Sequence, residues 1–160
     1  FTMSVCNLRP ESRGEVSINS SNPEDLPTII PNYLSTESDR VVAVESIKVA
    51  RKIAQANSIK DHILDEFVPG ASYSSDEELL EVARNHSQSI YHPVGTCKMG
   101  HDKESVVDDQ LRVHGVKNLR VVDASIMPEL VSGNTNAPTM MIAEKAAEMI
   151  LGNSHSGLTK

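Results

Sequence analysis

Apolar and polar residues alternate through Gly14-Glu15-Val16-Ser17-Ile18-Asn19-Ser20, the period-two pattern of a short, half-buried strand. Pro23, Pro27 and Pro31 punctuate the residues that follow. Each fixes its own φ and pushes the preceding residue toward an extended conformation, so loop or extended coil is expected there. From about Asp39 the period changes to three and four. Val41, Val44, Ile47, Ala50 or Arg51, and Ile53-Ala54 form an apolar stripe along one helical face. A turn is expected between Pro69 and Tyr73. Ser75-Asp76-Glu77-Glu78 then carries a capping-box signature ahead of a second helix over 76 to 88.

From Tyr91 onward small residues, Gly and Pro dominate. Leu111-Arg112-Val113-His114 and Leu119-Arg120-Val121-Val122-Asp123 read as two strands around a Gly115 turn, the second apolar enough at its centre for a buried sheet position. A last helix is expected from Asn136, as its cap, to Ile150, with Pro138 in the first turn where proline is tolerated. Met140, Met141 and Met149 recur at helical spacing and are expected in the core. Gly152-Asn153 should stop this helix and leave a frayed tail over 152–160. The fold class is therefore α/β, with an α+β-like arrangement.

Charge narrows the functional classes. Fifteen Lys and Arg against twenty-two Asp and Glu leave a net charge of -7, with no basic run. Phosphate binding needs a positive footprint, so no nucleic-acid partner is expected. Apolar stretches are only a few residues long, well short of the roughly 18 needed for a transmembrane segment. The chain opens on Phe1 rather than Met, and a piece of a longer polypeptide is expected. Cys6 and Cys97 form no Cys-x-x-Cys pair and suit two reduced thiols in a cytoplasmic enzyme, with peripheral attachment to the inner membrane as a variant of that expectation. Asn19-Ser20-Ser21 and Asn85-His86-Ser87 match the short glycosylation acceptor pattern, which carries no weight without a secretory signal.

Two segments offer chemistry. Tyr91-His92-Pro93-Val94-Gly95-Thr96-Cys97-Lys98-Met99-Gly100 presents a histidine directly before proline, held extended in a loop. Val131-Ser132-Gly133-Asn134-Thr135-Asn136-Ala137-Pro138-Thr139 puts amides and hydroxyls before a helix. A helix start offers unpaired N–H groups and a partial positive charge, a seat for developing negative charge on a ligand. Taken singly, a loop histidine making an ordinary hydrogen bond and a plain asparagine cap account for each segment.

Together the segments are more specific. His92 to Gly100, Val113-His114-Gly115-Val116-Lys117-Asn118-Leu119-Arg120-Val121-Val122-Asp123-Ala124-Ser125-Ile126-Met127-Pro128, and Gly133 to Thr139 resemble the carboxyl-terminal signature of the glucose-methanol-choline (GMC) oxidoreductases, closest to the choline and alkanol dehydrogenase branch. Leu8-Arg9-Pro10-Glu11-Ser12-Arg13-Gly14 resembles the start of that region, so the likeness runs from residue 8 to about 151.

The resemblance implies FAD as cofactor and a small primary alcohol as substrate, oxidised to an aldehyde by loss of its hydroxyl proton to a base and of hydride to flavin N5. It carries the catalytic histidine onto His92 and the second catalytic position onto Asn136. Imidazole can accept a proton near neutral pH whereas a carboxamide can only orient, so His92 is the base and Asn136 the positioner. Tyr91, Asp123, Ala124, Ala137, Pro138 and Thr139 are implied contacts of FAD, with Tyr91 beside the isoalloxazine ring. The resemblance also implies a substrate-binding region over 8–90 and an active-site and FAD-contacting segment over 91–151, whose final strand and helix return to the FAD domain.

The dinucleotide fingerprint Gly-x-Gly-x-x-Gly is missing from these residues, so the FAD-binding Rossmann part is expected to be a missing amino-terminal portion. The 160 residues alone are expected to be inactive, and the residues assign no electron acceptor. Alternatives from other classes are a non-catalytic interaction fragment, a metal site built from His92, Cys97, His101 and His114, and a serine hydrolase elbow at Gly70-Ala71-Ser72-Tyr73-Ser74, which lacks the closing glycine.

Overall fold

The computed structural model describes residues 1–152, which divide between Ser89 and Ile90 into two compact units. In the first unit, strand β1 (Glu15–Ser17) pairs antiparallel with β2 (Thr28–Ile30), with Val16 opposite Ile29. The strand expected over 14–20 is thus shorter, and its partner lies in the proline-rich stretch. Every residue of both strands is exposed, which corrects the half-buried expectation. Alternation buries a face only where a second layer covers it. At Gly14 an added Cβ would lie 2.1 Å from the Ile30 carbonyl oxygen, so only glycine admits this close approach.

Helix α1 (Glu37–Ala54) begins two residues earlier than expected because Thr36 caps it, its hydroxyl accepting from the Asp39 N–H. Helix α2 (Asp76–His86) has the expected capping box: Ser75 accepts from the Glu78 N–H while Glu78 accepts from the Ser75 N–H. The two helices pack together, burying Val44 of α1 with Leu79, Val82 and Ala83 of α2. Val41 and Ile53 of the expected stripe are half exposed. The 18 residues of α1 span about 27 Å and the 11 of α2 about 16 Å, so α2 cannot cover both ends of the stripe.

Asp39 is buried in the first turn of α1. Its carboxylate accepts hydrogen bonds from Asn7 Nδ2 at 3.0 Å, the Glu11 N–H at 2.9 Å and the Ser12 N–H at 2.8 Å. Burial pushes this carboxyl up, but the hydrogen bonds from the Ser12 side chain, the Glu11 and Ser12 backbone and Thr36 outweigh it and hold the pKa below its ordinary value. Later in the unit, Arg51 of α1 grips Glu66 through Nε and Nη2 and the carbonyls of Gly70 and Tyr73.

In the second unit, single-residue bridges stand where two strands were expected: Met99 with Val107, Val107 with Val113, and Arg112 with Arg120. Leu111 and Asn118 adopt φ of 62° and 61°, and left-handed residues cannot continue an extended ladder. The Gly115 turn is present, with φ 76° and the Val116 N–H bonded to the Val113 carbonyl. The chain then makes a 3-10 turn (Ala124–Ile126) and ends in helix α3 (Asn136–Ile150), which packs on that turn. Val107, Leu111, Ile126, Met127, Ile142 and Ala146 form the core, with Val94, Met99 and Met149 against it. Met140 and Met141 are exposed, contrary to expectation, because the buried face of α3 runs through Ile142 and Ala146. Gly152, at φ 72°, closes the helix. The tail expected beyond it lies, from residue 153, outside the described residues.

Candidate active site

The segment carrying His92 is anchored at one end and arched at the other. Cys97 N–H donates to the Ser125 carbonyl at 3.0 Å and Met99 N–H to the Ile126 carbonyl at 2.8 Å, fastening the segment to the 3-10 turn. Gly95 has φ 89°, and an added Cβ would meet the Met127 carbonyl oxygen at 3.3 Å. His92 makes no hydrogen bond or ion pair with any described residue, and its Nδ1 is buried without a partner. Tyr91, in the left-handed region at φ 62°, is exposed.

Among the described residues no ion pair joins a carboxylate to this imidazole. Asp123 caps the 3-10 turn, accepting from the Ser125 N–H at 2.8 Å. Asp102 accepts from the Glu104 N–H and pairs with Lys98. Those two interactions hold its carboxyl below the ordinary range, the Glu104 bond first. Asp108 is lowered chiefly by the Arg112 N–H.

At the start of α3 the sequence expectation needs correction. Thr135, not Asn136, occupies the cap position, in a helical conformation and with no side-chain cap bond. Asn136 is the first helical residue, exposed, and its carboxamide bonds to no described residue. A carboxamide caps only from the residue before the first helical one, where the backbone is extended, and the helix has already begun at Asn136. Helix geometry leaves the Asn136 and Ala137 N–H groups without intrahelical partners, and Pro138 has none to offer. No acidic residue occupies the first turn, so the positive end of the helix is uncompensated. The Thr139 hydroxyl is engaged, donating to the Thr135 carbonyl at 2.7 Å. Ala124 sits half-buried in the 3-10 turn.

The 3-10 turn thus holds the His92 segment by hydrogen bonds and packs against α3. No hydrogen bond links His92 to Asn136. The carbonyls of Ser125 and Ile126 and the tight place of Gly95 are parts of the site that sequence reasoning missed. The glycine three residues after His92 was the available signal. Of the metal alternative, His92, Cys97, His101 and His114 form no ligand cluster among the described residues. His114 instead bonds through Nε2 to the Gly100 carbonyl at 3.1 Å. Gly70 to Ser74 follow no strand among the described residues, so they lack the frame of a nucleophile elbow.

A family model described as GMC oxidoreductase matches residues 10–143. An alcohol dehydrogenase (acceptor) of Pseudomonas putida is 52% identical over 151 residues, covering 94% of this chain and 27% of that protein. An oxygen-dependent choline dehydrogenase of Escherichia coli is 46% identical over 152 residues, covering 95% and 27%. Among solved structures, pyridoxine 4-oxidase from Mesorbium loti aligns with a TM-score of 0.86 at 35% identity, covering 92% of this chain and 29% of that one. A fungal aryl-alcohol oxidase aligns at 0.82 and 34%, covering 91% and 24%. The chain spans about 27% of the length of the curated relatives it matches.

Proposed function

Because the chain belongs to the GMC oxidoreductase family, whose cofactor is FAD, we propose that it supplies the base and the helix-end contacts of a flavoenzyme oxidising a primary alcohol to an aldehyde. The observation carrying this reading is the presence, on one unit, of an imidazole bonded to no described residue and a helix start with no side-chain cap bond. Unsatisfied groups persist where a ligand completes them. The free N–H groups of Asn136 and Ala137 and the positive helix end suit the negative charge of a reduced flavin, so the residues fit this cofactor.

Bound FAD supplies the acceptor for the hydrogen that leaves the alcohol carbon with its electron pair. His92 takes the hydroxyl proton on a ring nitrogen as the O–H bond breaks and the carbonyl forms. The Asn136 carboxamide donates to the substrate oxygen and fixes its distance from the imidazole. Tyr91, Asp123, Ala124, Ala137, Pro138 and Thr139 would hold the cofactor. Asp123 acts there by setting the position of Ala124, since its carboxylate already caps the 3-10 turn. The names of the alcohol and choline dehydrogenases among the relatives support an alcohol as substrate. The substrate-binding part and the FAD-contacting segment correspond to residues 8–90 and 91–151. The two free thiols suit the cytoplasm.

In the full-length protein, His92→Ala should slow anaerobic flavin reduction by alcohol about 10²- to 10⁴-fold, the usual worth of a general base. Single-turnover reduction at the wild-type rate would sink the assignment.

A further inference from the structure

His92 stands on a short arch with two left-handed feet. Tyr91 has φ 62° and Gly95 φ 89°. Glycine occupies that region freely, whereas a residue with a Cβ does so at a cost. Between the feet, His92 is restricted to extended backbone by Pro93, whose own φ is fixed. Val94 packs on the core and, beyond Gly95, Cys97 and Met99 are fastened to the 3-10 turn, so that side cannot give. The Tyr91 ring is 85% exposed, so ring packing within this unit is not what holds its backbone left-handed.

We propose that the backbone conformation of Tyr91, more than its phenol ring, aims the His92 imidazole, making Tyr91 a positioning residue. This rests on His92 being the base. Returning Tyr91 to an ordinary φ would turn the following peptide by roughly 120°, and the rigid His92-Pro93 pair would carry that rotation straight to the imidazole. The cost held at Tyr91 is that of an aimed side chain rather than of a stable loop.

The test is a series at this position in the full-length flavoenzyme, Tyr91→Gly, Tyr91→Asn, Tyr91→Ala and Tyr91→Val, all of which lack the ring. Glycine and asparagine adopt the left-handed region readily, whereas alanine and the β-branched valine resist it. The limiting rate of flavin reduction should be about tenfold or more lower in Ala and Val than in Gly and Asn, with the apparent affinity for alcohol nearly the same across the series. Gly and Asn should also share one pH profile of that rate. Rates equal within about threefold across the four variants would overturn the proposal. If Val does not fold, Ala against Gly and Asn still decides. His92→Ala in the same assay reports separately on the base.

Discussion

Asp39 offers the sharpest check on how the first unit is held together. Its carboxylate is 4% exposed and accepts from Asn7 Nδ2 and from the N–H groups of Glu11 and Ser12, at 2.8 to 3.0 Å. Asp39→Ala removes both acceptor oxygens and with them all three hydrogen bonds. Hydrogen bonds to a charged group contribute about 1.5–3 kcal/mol each. The donors lie on a segment whose Arg9, Glu11 and Arg13 are exposed, so water replaces much of the loss once it lifts. A net cost of about 2–3 kcal/mol for local opening is expected. That corresponds to about 30- to 150-fold faster hydrogen exchange at the Glu11 and Ser12 amides. Asp39→Asn keeps one oxygen and the shape and should fall between. Because the carboxyl pKa is lowered from 3.8, the ionised latch contributes above that unfolded value and is lost as pH falls through the lower folded one. Exchange at both amides within about threefold of wild type in Asp39→Ala would refute the latch.

Leu79 is fully buried. Leu79→Ala should destabilise the α1–α2 pair by about 2–5 kcal/mol in urea unfolding, and a loss below about 1 kcal/mol would mean the pair is not the core of its unit. Gly95→Ala combines φ 89° with a Cβ at 3.3 Å from the Met127 carbonyl and should cost about 1–3 kcal/mol. It should also lower the flavin-reduction rate, and a variant with wild-type melting and rate would contradict the tight fit at the arch.

Local signals were readable where a few neighbouring residues decide the structure. Ser75 and Glu78 fix the start of α2 within four residues, and the three-and-four period located α1 and α3. The unread features depend on distance. The partners of Asp39 lie 27 to 32 positions away, and no local pattern around it marks them. The runs after Leu111 and Leu119 have strand composition, but left-handed φ at Leu111 and Asn118 interrupts them. The asparagine at 136 suggested a cap, yet the helix begins there because Thr135 is already helical. His92 and Asn136 were singled out by likeness to a family; what the residues alone could not tell was that the 3-10 turn holds the His92 segment and also packs against α3.

That shared support has a mechanical consequence. A shift of the turn, for instance on losing the Asp123 cap, would carry the His92 segment and α3 together. Their mutual spacing would survive while both moved relative to anything bound. Damage at this hinge pin would therefore present as misalignment rather than as a dismantled site.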